Sequence, residues 1–515
     1  MNKEQSKNSK VSAAVAEPSS NNSTTNQQQC SKVWKWIFIA MAAIGLISII
    51  SMSTDAGMSG DEHFHTEHAE NVYNYYATFG QDSTAAVVTP SYNLPYYGQS
   101  VDNFAYFITK VFGIEDAYLA RHIINSIFGW LAILFAALIA FRLGGWRAAA
   151  ITFALIFLSP RFLGHSFNNL KDLPLATGMA FGVYCLVRFL QEFPKINIKT
   201  AILFAVSIGF AISVRFAGLL IVAYFGMFGA IYWFIRNKKQ GLFVNQGLKE
   251  LKLMLMWGIG ISLVGIGISI LLWPFLLKSP IANFIDTMEN MTQFAIAIRQ
   301  VFEGEMQWSD ILPWYYTPKF ILMTIPIAVI AGLIFGISLM WNDKKNIFWN
   351  VLLLFSFIFP IFWIIYQKSN VYGGWRHAMF VYPTLVAFAG LGFNLIITML
   401  KNKYAKIGLT ALPFVMLILP IIHIAKNHPY EYVYFNELAG GAGNAWGNYE
   451  MDYYYHSTRE AAEWIIENAD KSEINTNDKI RVATWHAPSV QNYFRNDTND
   501  FKVVFARWYQ KGDVD

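Results

Sequence analysis

Apolar runs long enough to cross a lipid bilayer recur along this chain, and they constrain its fold more than any other feature. The first run extends from Val33 to Met52, which matches the roughly 20 residues that a membrane-spanning helix needs. Of the 515 residues, 55% are hydrophobic and only 14% are charged, a balance that is unusual for a soluble globular protein. We therefore predict an all-α polytopic membrane protein.

About eleven spans are predicted from these runs, and the basic residues between them indicate an orientation. The runs after the first are Arg121–Phe141, Ala148–Leu163, Leu173–Leu190, Thr200–Val214, Phe216–Phe234, Leu253–Leu276, Lys319–Met340, Ile347–Tyr366, Ala378–Leu400 and Ile407–Ile424. Lys32 and Lys35 flank the start of the first span, and the later basic clusters fall on every second loop. Because basic loops stay in the cytoplasm, we expect a cytoplasmic amino terminus. An odd number of spans then leaves the carboxyl terminus outside.

The chain divides into three parts by composition. Residues 1–31 are rich in Ser, Asn, Gln and Lys, and we expect them to form a disordered cytoplasmic tail, since they offer almost no large apolar side chains to bury. Residues 32–425 form the membrane domain. Its outer loops at 53–120 and 278–318 are long, and we expect an amphipathic stretch in each to lie along the membrane surface. Residues 426–515 form an extracytoplasmic segment.

This last segment has the pattern of a small α/β unit. Ser457–Ala469 is predicted to be a helix, and Ile480–Trp485 and Phe501–Ala506 are predicted to be strands, with a turn at Asn496 and Asp497 between them. Two strands are few for an independent sheet. We therefore expect the unit to pack on the membrane domain.

Two adjacent carboxylates, Asp61 and Glu62, stand where the first span meets water. One interpretation is structural, because Ser59 with Glu62 three residues later is a capping box, and acids favour the start of a helix. The other interpretation is that Asp61 is a base facing a cavity at the outer membrane surface. This stretch alone favours the cap, and polar residues at other span ends favour the base.

Lys171 and Asp172 lie between the third and fourth predicted spans, on the same side as Asp61. Snorkelling in a solvated loop explains the lysine. However, two acids that converge on one outer cavity are the pattern of a reactive site. We therefore predict that Asp172 belongs to a reactive site together with Asp61.

Arg215 separates two apolar runs that leave no room for a loop, so it lies at the outer boundary of the membrane. A charge there is costly unless it has a partner. Topology does not explain it, because this is the wrong side for a basic residue. A guanidinium pairs with phosphate in a bidentate fork, which suggests a lipid phosphate. The same argument applies to Arg376 and His377 at the start of the tenth predicted span.

The order of these elements resembles the GT-C membrane glycosyltransferases, and in particular glycosyltransferase family 39, which includes protein O-mannosyltransferases and the lipid A aminoarabinose transferase. The similar segments are Asp61-Glu62-His63-Phe64, Tyr118 to Gly129, Ser159-Pro160 to Lys171-Asp172-Leu173-Pro174, and Val214-Arg215. Many relatives carry a further motif later in the first outer loop, and only traces of it are present here, at Leu94 to Gly98. The tail at His428 to Glu437 lacks the sugar-binding barrel pattern of eukaryotic protein mannosyltransferases, so the chain looks like a bacterial member.

The resemblance implies an inverting glycosyltransferase of the bacterial plasma membrane. It would move a sugar from a polyprenyl-phosphate donor to a hydroxyl of a protein, lipid or glycan acceptor on the outer face. Asp61 would be the general base, and Arg215 would hold the lipid phosphate. Arg376, with His377 beside it, could share that role or bind the acceptor, and Lys171 is a weaker candidate. Glu62 and Asp172 would orient the hydroxyl groups of the acceptor or the sugar. Membrane lipids are expected partners, and nucleic acid is not.

Three alternatives stay open at this stage. Asp61, His65 and His68 share one helical face and could hold a divalent metal, although no fourth ligand is evident and we expect no cofactor. A transporter or flippase of lipid-linked sugars would also span the membrane many times. It would show inverted repeats and ionisable groups near the bilayer midplane, whereas the polar groups here gather at the outer ends. An inactive scaffold subunit would use the acids only as caps.

Overall fold

Helices make up most of the computed structural model, which describes residues 20–90, 92–239, 241–242, 244–292, 297–470 and 479–506. The α-helices are α1 (Ser20–Ser53), α2 (Glu62–Ala77), α3 (Ser100–Phe112), α4 (Ala117–Phe157), α5 (Pro160–Asn168), α6 (Asp172–Glu192), α7 (Ile198–Val214), α8 (Leu220–Asn237), α9 (Asn245–Leu271), α10 (Pro274–Lys278), α11 (Pro280–Thr292), α12 (Tyr316–Thr324), α13 (Ile327–Leu339), α14 (Ile347–Tyr366), α15 (Tyr382–Met399), α16 (Lys403–Met416), α17 (Ile418–Asn427), α18 (Gly441–Ala445), α19 (Thr458–Asn468) and α20 (Ala487–Tyr493). The predicted tail lies outside the described residues as far as residue 19, and helix α1 begins at Ser20.

Within the described ranges, eight helices are long and apolar enough to cross a membrane. A ninth is added if α12 and α13, which meet at an angle of 112°, are one bent span. Pro326 lies at this break, where it cannot donate a helical hydrogen bond. The protein is therefore an integral membrane protein, and the class predicted from the apolar runs is confirmed.

The predicted count of eleven spans is not confirmed, and it differs from the structure at identifiable places. The second predicted span and most of the third lie in α4, on either side of a break at Gly145, a residue with φ 77° and ψ −171°, and the count of eight takes them as one helix. Helix α7 contains 17 residues and is short for a spanning helix. The prediction counted every apolar run as one span. The structure also gives the length of each helix, which separates clear spans from shorter segments.

The centre of the membrane domain is formed by α4, α6 and α15, whose core side chains are buried against neighbouring helices. Small residues permit these helices to pack closely. A Cβ atom on Gly332 of α13 would lie 2.6 Å from the carbonyl oxygen of Ala389 in α15. A Cβ atom on Gly178 of α6 would lie 2.8 Å from Ala211 in α7. Close packing at the centre fixes where the ends of these helices emerge.

The two long loops that were predicted to lie outside carry structure of their own. The first contains α2 and α3, and the second contains α11 followed by a hairpin of β1 (Arg299–Phe302) and β2 (Glu305–Trp308). The hairpin turn is formed by Glu303 and Gly304, which have φ values of 56° and 79°. The amphipathic stretch predicted in this loop, around Ile281 to Phe302, forms helix α11 in its first part, whereas its last four residues form strand β1. Strands of four residues are too short to show an alternating pattern in sequence.

The carboxyl-terminal unit contains α19, α20 and the strands β3 (Ile480–Thr484) and β4 (Phe501–Phe505). The predicted helix and both strands are present. The strands are parallel, because helix α20 connects them in addition to the predicted turn. The unit packs on the rest of the chain, where the Tyr493 hydroxyl accepts a hydrogen bond from the Met58 amide at 2.6 Å and Arg495 pairs with Asp116 at 2.7 Å.

Candidate active site

Asp61 lies at the start of α2, and its carboxylate points away from the helix. The side chain accepts no capping hydrogen bond and is 50% exposed. The capping contact is made instead by Glu62, whose Oε2 accepts a hydrogen bond from the Ser59 amide at 2.9 Å. The two adjacent acids therefore differ in placement, and Asp61 is the one that is free to meet a ligand.

Two cations approach the same oxygen of Asp61. Lys171 Nζ lies 3.8 Å from Oδ2, and Arg376 Nη1 lies 3.9 Å from it. Burial favours the neutral acid, but the positive charges of Lys171 and then Arg376 outweigh it and lower the pKa of Asp61 below its ordinary value. Asp61 is therefore ionised at neutral pH. Because both distances exceed hydrogen-bond length, these cations can still turn to a second anion.

Arg215 forms the other half of the site, in an ion pair between its Nη1 and Oδ1 of Asp172. The Asp172 side chain is 3% exposed, and that of Arg215 is 18% exposed. Asn169 fixes the carboxylate, since its Nδ2 donates to Oδ2 of Asp172 at 3.3 Å and its Oδ1 accepts from the Asp172 amide at 3.0 Å. Asp172 thus positions the guanidinium.

Tyr97 joins the two halves. Its ring centroid is 5.0 Å from Lys171 Nζ and 5.5 Å from Arg215 Cζ, within the range of cation–π attraction. The next residue, Gly98, packs so tightly that a Cβ atom would lie 2.0 Å from the carbonyl oxygen of Ser213. Tyr97 was not predicted as a site residue. It belongs to the Leu94–Gly98 trace of the family motif, which was the signal that could have identified it.

Residues of this cluster line two cavities. The first, of about 430 Å³, is mainly apolar; we call it the lipid-side cavity, and its lining includes Arg215, His377, Leu220, Trp363 and Phe380. The second, of about 1200 Å³, we call the aromatic cavity, and its lining includes Asp61, Arg376, Glu450, Trp308, Tyr453, Tyr454, Tyr455 and Trp485. Tyr372 lines both cavities. The two cavities are therefore neighbours at Tyr372, and Asp61 lines the aromatic cavity.

The structure brings together Asp61, Lys171, Asp172, Arg215, Arg376 and His377 from four separate parts of the chain, as the sequence predicted. Glu62 is placed differently. Its side chain is fully buried, and its Oε1 is 2.9 Å from Nε2 of His122. It lines neither cavity. The expectation that Glu62 orients a substrate hydroxyl does not fit this position, because the buried His122 partner draws the carboxylate inward.

Several residues that support the site were not predicted as site residues. Arg161 is buried, donates to the Tyr453 hydroxyl at 3.2 Å, and also donates to the Tyr434 carbonyl. His165 Nε2 is 2.6 Å from the same hydroxyl. Burial, and then the charge of Arg161, hold the pKa of His165 well below its ordinary value. These contacts fix one wall of the aromatic cavity. Glu450 was missed as well, although an acid inside the aromatic run Tyr449 to Tyr455 is itself a signal.

The metal hypothesis rested on Asp61, His65 and His68. His65 Nδ1 is 2.6 Å from Oε1 of Gln99, and His68 Nδ1 is 2.5 Å from the Tyr92 hydroxyl. In the ranges that the structure describes, no group of three or more His, Cys, Asp or Glu side chains is arranged to hold a metal ion. The three residues share a helical face, but hydrogen bonds direct both histidines to neighbouring groups.

Comparisons with solved structures identify the fold. The oligosaccharyltransferase of Archaeoglobus fulgidus in the apo form is similar over 89% of this chain and 64% of its own, with 14% identity and a TM-score of 0.53. ArnT from Cupriavidus metallidurans in the apo state is similar over 93% of this chain and 87% of its own, with 13% identity and a TM-score of 0.52. This chain has the fold of the GT-C glycosyltransferases.

The family model of dolichyl-phosphate-mannose-protein mannosyltransferases matches residues 76–281. The resemblance to family 39 is thereby confirmed over about two fifths of the chain. The match includes Lys171, Asp172 and Arg215, and it leaves Asp61 and Arg376 outside. No curated protein sequence matches the chain.

One similar structure contains a lipid phosphate. It is the oligosaccharyltransferase AglB from Archaeoglobus fulgidus in complex with an inhibitory peptide and a dolichol-phosphate. The similarity covers 89% of this chain and 63% of AglB, with 14% identity and a TM-score of 0.52. The chain thus spans less than two thirds of the length of the archaeal enzyme.

Proposed function

We propose that this protein is a membrane glycosyltransferase that moves a sugar from a polyprenyl-phosphate donor to an acceptor hydroxyl on the outer face of the membrane. The observation that carries the proposal is the position of Asp61 on the wall of the aromatic cavity, in a cluster of charges that reaches Arg215 on the wall of the lipid-side cavity. One cavity is apolar and has Arg215 at its polar end, and the other opens toward the outer loops and has Asp61 on its wall. The orientation, with the carboxyl terminus outside, and a bacterial plasma membrane are part of this proposal.

The lipid-side cavity suits the donor. Its Leu, Phe and Trp side chains would contact the prenyl chain, and Arg215 would meet the phosphate. The Nδ1 atom of His377 is buried, and it has no hydrogen-bond partner among the described residues, which makes it a further contact for a phosphate oxygen. Leaving a buried polar atom unpaired costs about 1–3 kcal/mol, and a bound phosphate would remove that cost.

The charges of the site also suit one phosphate group. Lys171, Arg215 and Arg376 supply three positive charges, and Asp61 and Asp172 supply two negative charges. One positive charge is therefore left over. Because Lys171 and Arg376 are not hydrogen-bonded to Asp61, a phosphate can bind both without breaking a strong ion pair. Cations so placed would stabilise the charge that grows on the leaving phosphate.

The reaction would be a single displacement with inversion. The acceptor oxygen attacks the anomeric carbon, the bond from that carbon to the phosphate oxygen breaks, and the acceptor proton passes to Asp61. The products are the glycoside with inverted configuration and polyprenyl phosphate. Phosphate is a good leaving group and needs no strong general acid. A positioned base of this kind contributes about 10²–10⁴-fold to the rate.

The test is transfer by the purified full-length protein in detergent, with dolichyl-phosphate mannose as the probe donor. We expect release of dolichyl phosphate and an α-linked product from a β-linked donor, which NMR of the anomeric proton identifies. A retained anomeric configuration would contradict direct displacement. If the protein in proteoliposomes only moved the donor between leaflets without releasing dolichyl phosphate, the flippase alternative would replace this proposal.

A further inference from the structure

The aromatic cavity is lined by rings from three separate parts of the chain. Trp308 comes from the β1–β2 hairpin, Tyr455 from the segment after α18, and Trp485 from the carboxyl-terminal unit. Their exposed fractions are 43%, 42% and 47%, so the rings face open space. Large aromatic rings left exposed in a cavity are characteristic of a binding site.

The backbone of Tyr455 is in an unfavourable conformation that keeps its ring in the cavity wall. Its φ is 62°, in the left-handed region that non-glycine residues seldom adopt. The ring lies against His486, with centroids 3.7 Å apart. Strained residues of this kind cluster at functional sites. The chain thus accepts a local cost to present an aromatic surface.

Glu450 is the only carboxylate besides Asp61 among the described residues that line this cavity. Its backbone is fixed, since its amide donates to the Val301 carbonyl at 3.0 Å. Among the described residues its carboxylate makes no hydrogen bond, although the charge of Arg376 acts on it. Burial raises the pKa of Glu450 to about 7, although Arg376 opposes the shift. The residue is half-buried and lines the cavity, so its carboxylate is available to a ligand that binds there.

We infer that the acceptor is a carbohydrate, held against these rings by its C–H faces and bound by Glu450 through a hydroxyl group other than the one that is glycosylated. The assignment of this cavity to the acceptor rests on the proposed function. A sugar ring has an apolar face and a polar edge, and exposed rings beside one free carboxylate match both. Asp61 takes the proton of the reacting hydroxyl, so a second acid needs a second hydroxyl on the acceptor.

The size of the cavity indicates an acceptor of several sugar units. Cavities for a single small molecule have volumes of roughly 300–1,000 Å³, and this one has about 1200 Å³. The rings also lie on three elements rather than around one point. A chain of sugars can contact all three elements while one hydroxyl reaches Asp61.

A peptide acceptor is the competing possibility, and the hairpin offers it a place. Strand β2 pairs with β1 on one side, so a peptide could add to its other edge through backbone hydrogen bonds. Such a peptide would need neither Glu450 nor the ring of Trp485. The two classes of acceptor therefore respond differently to the same substitutions.

The test is direct binding by the full-length protein in detergent, on one array of oligosaccharides and one array of Ser- and Thr-rich peptides. We expect oligosaccharides to bind, and the tightest of them to lose roughly 10- to 150-fold in affinity in Glu450→Gln, the range for a charge-assisted hydrogen bond. Trp485→Ala should weaken the same oligosaccharide. Glu437→Gln is the matched control, because Glu437 is exposed and does not line the cavity.

Retained binding of dolichyl phosphate shows that the Glu450→Gln protein is folded. Binding of peptides but not oligosaccharides overturns the inference, and so does binding to neither array. Oligosaccharide binding that is unchanged in Glu450→Gln overturns the role of Glu450. Asp61→Asn separates this inference from the proposed function, because it should bind the oligosaccharide normally but fail to transfer. Transfer by that variant would contradict the proposed base and leave carbohydrate binding intact.

Discussion

Arg215→Ala should have two separable effects, because the arginine has two roles. It would bind the donor phosphate, and it neutralises Asp172. Loss of a hydrogen bond to a charged group costs about 1.5–3 kcal/mol. At 1.4 kcal/mol per tenfold change, we expect kcat/KM for the donor to fall roughly 10- to 150-fold, and the acceptor KM to change little.

The same substitution should also destabilise the protein. Asp172 is 3% exposed, so removal of Arg215 leaves a buried carboxylate without its main partner. Breaking a buried pair in this way costs about 3–5 kcal/mol, and Asn169 and the nearby cations place this site at the lower end. The double variant Arg215→Ala with Asp172→Asn removes the unpaired charge. It should regain stability without regaining donor use.

The assay is steady-state transfer with the donor and acceptor varied separately, together with thermal unfolding of each variant in the same detergent. Arg215→Lys is the matched control. It keeps the charge but lacks the planar fork, so it should regain part of the donor affinity. If donor KM and kcat are both unchanged in Arg215→Ala, the arginine does not bind the phosphate. If the double variant regains activity with stability, the loss came from misfolding.

Three further predictions concern the other charges and the loop that carries Arg376. Burial raises the pKa of Asp61, while Lys171 and Arg376 lower it. Lys171→Met should therefore raise that pKa and move the acid limb of the pH–rate profile to higher pH. An unmoved acid limb would contradict the effect of Lys171 on Asp61. Glu450 is ionised above about pH 7, so acceptor KM should fall as pH rises through that value, and Glu450→Gln should abolish the dependence; a persisting dependence excludes Glu450. Gly373 has φ 64°, so Gly373→Ala should cost about 1–2 kcal/mol in thermal unfolding and reduce kcat; an unchanged Tm refutes the strain argument.

The sequence predicted much of the site because a membrane restricts where charges can lie. A charged Arg215 at the membrane boundary is costly without a partner, and the structure places it beside Asp172 on the wall of a cavity. The same reasoning selected Asp61, Lys171 and Arg376. These residues converge because all of them stand at span ends on one side. The apolar runs therefore allow the depth of a residue in the membrane to be predicted.

The direction in which a side chain points around the helix bundle could not be predicted from the sequence in the same way. Glu62 and Asp61 are neighbours in sequence, yet the first is buried against His122 and the second faces the cavity. Glu450 and Tyr372 were missed because their positions depend on how the outer loops fold over the bundle. Helix α20 was missed because seven residues are too few for a helical period to stand out.

The central claim is that Asp61 is the base, and the most direct measurement is the activity per folded molecule of Asp61→Asn. Asparagine keeps the size of the side chain and cannot take the proton, so we expect transfer to fall by about 10²–10⁴-fold with the amount of folded protein unchanged. Glu67→Gln, on an exposed face of the same helix, should be near normal. Near-normal transfer by Asp61→Asn, or a far larger loss in Glu62→Gln, would show that a different carboxylate is the base.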